Sequence, residues 1–338
     1  MKIISDFLGE MKRQSERSRC LHFEHGSRCT EHISAHSIQN SGQLTEISEN
    51  GHVYKINGHF STLKKTGGKP APKKIGRNDA STFLGFCGTH DTQLFRPIDT
   101  IPLKPTYEQV ALYAYRSLCR EYFVKENAVR TLENLKGHEA LTKEKSEFLE
   151  AALKGFGIGF EGLIHHKRHY DNAISNGKFH EFKYTVFIAH SRQDLAFSGV
   201  LYPHFDFLGR QLQDLGVEGV PLDLITFFSA PAEEGWAIGI AWHESSDRYC
   251  REFLRSLATH VYEGASLDDA ILRFVFSCCE NHAIRMSWWD GLKEKSQSSI
   301  LERVRFMTSL ECGYDPRHLC VVLEGIAKWE FGHVLSSD

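Results

Sequence analysis

The amino-acid sequence predicts an α+β protein: a small zinc-stabilised module near the start of the chain, then a larger helical domain carrying a small antiparallel sheet. Three observations predict it. Cysteine and histidine residues suited to one metal ion fall between positions 20 and 90. Helical periodicity with recognisable caps takes over after residue 106. Period-two runs of β-branched and aromatic residues begin near residue 182.

The 338 residues are enough for two domains, and a 41 % hydrophobic content allows a sizeable core. No run of eighteen apolar residues occurs, so no spanning helix and no membrane partner are expected. Residues 1–19 lack a signal-peptide core and read as an amphipathic helix. Nine scattered cysteines, an odd number, point to buried thiols in a reducing, cytoplasmic setting. The net charge of −3 hides an asymmetry. The first hundred residues hold 14 Lys and Arg against 10 Asp and Glu, a basic end on an acidic body that suits a nucleic-acid partner.

Taken in order, residues 20–99 form the expected module. Within it, the segment 42–56 reads as a helix and a strand. The segment 62–78 holds six basic residues and no acidic one, with Gly67, Gly68, Pro70 and Pro72 close together. It reads as a mobile basic loop whose Lys64, Lys65, Lys69, Lys73, Lys74 and Arg77 would reach a phosphate backbone. Three prolines in 96–106 mark a boundary to a second domain over 106–335. Thr106 with Gln109 is a capping box, and apolar spacing carries that helix to about residue 135. A second helix is expected from about 142 to 154, stopping at the glycines of 155–159, and a third over 160–176. Strands follow at 182–191, 222–230 and 236–243, the last two joined by a tight turn. Helices return at about 246–260, 267–283 and 295–309, with Ser266 and Asp269 as a further capping signature.

Cys87 and His90 have the two-residue spacing of a ligand pair, and Cys20 and Cys29 supply two further thiolates. Together they predict a tetrahedral structural Zn²⁺ site, with His22, His25 and His32 as rival ligands. The run 33–39 alternates as a strand, placing His36 on one face with Ser34 and Ile38. The run 86–95 opens a short helix on which His90 and Asp91 diverge by about 100°. His90 can then face the zinc while Asp91 faces His36.

These segments, AHSIQ at 35–39 and CGTHD at 87–91, resemble the two ends of the HNH endonuclease motif over about residues 20–96. The resemblance implies a ββα-metal fold and hydrolysis of phosphodiester bonds. His36 would be the general base, Asn78 the middle catalytic residue, and Asp91 the ligand of a catalytic Mg²⁺ or Mn²⁺. The chain departs from the pattern at Ala35, where some members supply another metal ligand, at Asp91, where a histidine is usual, and in the long gap from His36 to Cys87. Asn78 is further from Cys87 than the usual asparagine, and Ser81 or Thr82 holds the nearer position. The expected partner is nucleic acid, DNA ahead of RNA. Two other readings follow from the same residues: a non-catalytic zinc-stabilised binding module, and an enzyme or sensor with its site in the second domain. In the second domain the histidine-rich run 164–169 reads as a solvated helix face.

Overall fold

Strand pairing in this chain reaches further than the local sequence suggests. The computed structural model describes residues 2–26, 29, 31–57, 66, 69–308, 315–320 and 324–337. The strands are β1 (His32–His36), β2 (His52–Asn57), β3 (Ala71–Gly76), β4 (Thr82–Cys87) and β5 (Phe182–Ala189), followed by β6 (Leu195–Leu201), β7 (Ile225–Ala232), β8 (Gly235–His243), β9 (His282–Ile284) and β10 (Phe331–Ser336). All but β1 and β4 belong to one eight-stranded antiparallel sheet in the order β10-β5-β8-β7-β6-β9-β2-β3. The expected small sheet is therefore a large one.

The α+β class is as expected. The principal helices are α1 (Lys2–Glu16), α2 (Gly88–Asp99), α3 (Tyr107–Leu135), α4 (Lys143–Ser175), α5 (Asp247–Tyr262), α6 (Leu267–Cys278), α7 (Met286–Asp290) and α8 (Glu294–Thr308). A π turn over Asn40–Leu44 and a single turn over Thr45–Ile47 supply the short helix expected before β2. Among the described residues, no helix is long and apolar enough to cross a membrane.

The sheet is covered on both faces, which is why β7 and β8 are apolar at nearly every position. Alternation sends Phe228, Ala230, Ala237 and Ala241 into a core shared with α3. It sends Phe227, Trp236, Ile238 and Ile240 into a second core with α5 and α6. Tyr113 of α3 stacks on Phe228 with ring centroids 4.6 Å apart. Gly239 leaves room for that Phe228 ring, because a Cβ there would stand 2.3 Å from it.

Two local expectations need correction. Residues 143–175 form one helix, not two separated at 155–159. Each glycine in a helix interior costs only about 1 kcal/mol, and packing of α4 along α3, with Tyr122 and Phe160 5.0 Å apart, offsets it. The second correction concerns 62–78, expected as an irregular loop. Ala71–Gly76 is strand β3, paired residue for residue with β2 from His52↔Gly76 to Asn57↔Ala71. Pro72 is tolerated because β3 is the edge strand. Lys73 and Lys74 are exposed on it, and Lys69 is exposed just before it. Lys64 and Lys65 lie outside the described residues.

The segments 20–99 and 106–335 share both sheet and core. Ile284 of β9 pairs with Tyr54 of β2. Cys20, Leu21, Phe83, Phe86 and Phe95 pack in the same cluster as Tyr115, Phe182 and Phe228.

Candidate metal centre and adjoining cleft

Strands β1 and β4 pair antiparallel, with His32 opposite Cys87 and His36 opposite Thr82, and β4 runs directly into α2. Between Ile33 and Ala35 the register slips by one, two positions on β1 opposing three on β4. Cys87 is the N-cap of α2, its Sγ accepting from the His90 N–H at 3.5 Å. The stretch before β1 lies along β4, with Arg19 N–H bonded to Leu84 O at 3.0 Å and Leu21 N–H to Gly85 O at 2.8 Å. That pairing carries Cys20 to the α2 N-terminus.

One ligand atom from each of Cys20, Cys29, Cys87 and His90 lies within 4.8 Å of all the others. His90 Nδ1 is 3.4 Å from both Cys20 Sγ and Cys29 Sγ. A tetrahedral zinc with Zn–S near 2.3 Å and Zn–N near 2.0–2.1 Å requires ligand separations of about 3.6–3.8 Å. The set therefore could hold a metal such as zinc. Without a cation, burial pushes the Cys20 thiol up to about 12, a tendency that a coordinated ion reverses. Of the rival ligands, His22 stacks on His90 at 4.0 Å and accepts from Glu24 N–H through Nδ1. His25 contacts the His22 carbonyl at 3.2 Å. His32 remains on β1, outside the four-residue set.

Next to this cluster a cleft of about 380 Å³ opens, lined by both His36 and Asp91. Sequence neighbours His90 and Asp91 thus point to different places, His90 into the Cys₃His set and Asp91 into the cleft, as their divergence on α2 anticipates. His36 Nε2 is buried and has no hydrogen-bond partner. Burial is the main influence on its imidazole and lowers the pKa; hydrogen bonding to the Asn78 carbonyl opposes this. Burial also raises the Asp91 carboxyl, against the attraction of Arg116. Asn78 offers His36 its carbonyl, while its side-chain oxygen accepts from Asn40 at 3.1 Å. Arg77 stands in the cleft wall and bonds Thr45 Oγ1 at 2.8 Å.

The remaining wall comes from residues that the sequence reading missed. Asp99, about two turns beyond Asp91 on α2, holds Arg116 of α3 in a two-pronged bond of 2.8 and 2.6 Å. Arg116 is only 3 % exposed and lies over Phe95 at 4.1 Å. The signal was available: Arg116 is the only charge in the apolar run 110–119. Gln39, Asn40 and Ser41 complete the polar rim. Behind the cleft, Ser37 Oγ accepts from Asn281 Nδ2 at 2.8 Å, tying the strand end to the connection before β9.

The histidine-rich run in α4 is not the solvated face expected of it. His166 is buried and contacts Leu222 O through Nε2 at 2.7 Å. His243, at the end of β8, accepts from Ser245 N–H and contacts Glu181 at 3.1 Å, as an N-cap does.

No family model, no curated protein and no solved structure matches this chain.

Proposed function

We propose that the protein is a metal-dependent endonuclease of the HNH type, acting on nucleic-acid phosphodiester bonds. The observation that carries this reading is the shared cleft. His36, with one buried and unpartnered ring nitrogen, and the half-buried Asp91 line the same cleft, beside a separate Cys₃His cluster.

In this reading Cys20, Cys29, Cys87 and His90 hold a structural zinc that fixes the start of α2 against β1 and β4. His36 is neutral near neutral pH because burial depresses its pKa, so Nε2 can take a proton from an attacking water. Asp91 is the carboxylate for Mg²⁺ or Mn²⁺, ions commonly bound through one or two carboxylates plus substrate phosphate. When bound, such an ion supplies charge stabilisation to the phosphate and its leaving oxygen. Arg77 and Arg116 add positive charge to the cleft wall. Lys69, Lys73 and Lys74 provide phosphate contacts that position the strand without reading its bases.

The test is cleavage of plasmid DNA and of RNA in Mg²⁺, Mn²⁺ and EDTA, with zinc measured on the same samples. His36→Ala is expected to lose about 10²–10⁴ in rate with zinc content unchanged. Cleavage at the parental rate by His36→Ala overturns the assignment. One observation favours a second reading. Asp99, the other carboxylate of the cleft, is committed to Arg116. A zinc-stabilised module that binds nucleic acid without cutting fits that arrangement, and binding without cleavage in any metal would select it.

A further inference from the structure

A second group of ligand-type side chains lies at the opposite end of the large sheet, where β10 forms its edge. His190 follows β5, Glu234 is in the two-residue turn between β7 and β8, and His333 is on β10. One ligand atom of each lies within 4.8 Å of the other two. His333 Nε2 is 3.7 Å from the Glu234 carboxylate, and the two imidazoles have centroids 5.6 Å apart. We propose that His190, Glu234 and His333 form a second divalent-metal site, for a borderline ion such as Zn²⁺.

Three features beyond proximity support it. The first is orientation. His190 Nδ1 is 2.9 Å from the backbone oxygen of Glu234. A carbonyl can only accept, so Nδ1 carries the proton and Nε2 keeps the lone pair for a metal. An outer partner of this kind is what fixes tautomer and ring direction in metal-bound histidine. The second is room. A Cβ at Gly332 would stand 2.1 Å from His190 Nε2, so the ring occupies space that only glycine leaves open. The third is a held backbone. His190 N–H bonds Glu330 O at 3.0 Å, next to β10. Gly235 has φ +137°, and a Cβ there would stand 2.2 Å from Ala189 O, so the turn bearing Glu234 closes tightly on the end of β5.

Two imidazoles and one carboxylate make the donor set of three-ligand zinc sites, which keep a fourth position for water or another ligand. All three side chains are exposed, so an ion has an entry path. Hard Mg²⁺ prefers an all-oxygen shell and would bind poorly here. Occupancy would join β10, the turn of the β7–β8 hairpin and the end of β5. The site would then act as a metal-dependent clasp on the edge strand.

The test uses untagged full-length protein already carrying its tightly bound metal, titrated calorimetrically with Zn²⁺ and then with Mg²⁺. One further equivalent of Zn²⁺ is expected, with no matching Mg²⁺ event. His190→Ala, Glu234→Gln and His333→Ala should each weaken it at least tenfold, while the first equivalent stays bound. Gly332→Ala should weaken it too, by displacing the His190 ring. Hydrogen exchange along β10 should slow on Zn²⁺ addition in the parent and not in His333→Ala. Absence of a second equivalent overturns the proposal. So does one that survives in both histidine variants.

Discussion

Replacing Asp99 by Ala should destabilise the protein by leaving the Arg116 guanidinium buried without the carboxylate that it is hydrogen-bonded to. Arg116 is 3 % exposed, Asp99 33 %. Two hydrogen bonds of 2.8 and 2.6 Å join them, and the Phe95 ring closes one side. Breaking a buried pair by removing one partner costs about 3–5 kcal/mol. The partial exposure of Asp99 admits water and screening, which places the expected loss near the lower end, about 3 kcal/mol. With an unfolding entropy of about 2.1 cal/mol/K per residue over this chain, that loss lowers Tm by about 4 °C if the chain unfolds as one unit. Differential scanning calorimetry on zinc-loaded protein measures it. The double variant Asp99→Ala/Arg116→Met removes both charges and lays a thioether over Phe95. It should recover much of the loss, because an apolar replacement of a buried pair is often neutral. A Tm for Asp99→Ala equal to the parent's would refute the argument. So would single-variant losses that simply add in the double variant, since residues in contact should couple.

Four further outcomes are expected. Cys29→Ser should lower zinc from one equivalent towards none and destabilise the β1–β4–α2 unit, measured by elemental analysis and thermal unfolding; full zinc retention would count against the four-ligand set. His166 and His282 are buried, and burial depresses each pKa to about 4. The unfolded chain therefore protonates them first, at about pH 6.5. Their contribution is complete above that pH and is lost on acidification towards about pH 4, at up to about 1.4 kcal/mol per pH unit for each ring. Urea midpoints that do not move between about pH 6.5 and 5 would exclude this. Gly239→Ala should cost about 1–3 kcal/mol by overpacking against Phe228, and a wild-type urea midpoint would show that the Tyr113–Phe228 stack can shift at no cost. Lys73→Ala/Lys74→Ala should weaken nucleic-acid binding across sequences and reduce its salt dependence; an unchanged salt slope would make the β3 edge a bystander.

What the sequence disclosed was chiefly what neighbours in sequence determine. Thr106 accepts from the Gln109 N–H at 3.2 Å, as the capping pattern implied. Ser266 likewise caps α6. The turn between β7 and β8 closes at Ala232↔Gly235, where the hairpin was expected. The Cys₃His set was legible because ligand chemistry leaves few candidates. Long-range pairing was not. β9 has three residues, too few for a period, and it falls where a helix was expected to run on to 283, although that helix ends at Cys278. β10 is largely exposed, so it shows no alternation of apolar and polar positions. β3 hid behind its prolines and lysines. The cleft was half legible: His36 and Asp91 stood in recognisable runs, but Asp99 and Arg116 meet only because α2 packs on α3.

The three-residue strand β9 has a mechanical consequence. β5 and β8 share eight partner positions, whereas β6 and β9 share three and β9 and β2 only one. The sheet is thus two panels joined along a narrow seam. Side chains reinforce the seam: Arg285 Nη2 bonds Glu46 O at 2.9 Å, and Glu49 accepts from Ser287 N–H at 2.8 Å. Arg285 is buried and Glu49 lies at the surface, but neither bond has the cooperativity of a ladder. A pull on the β2–β3 panel would tear there first, leaving the β5–β8 panel whole. His36 ends β1, which pairs with β4 directly before α2, so His36 and Asp91 would stay together on the cleft side while the torn panel carried β2 and β3 away.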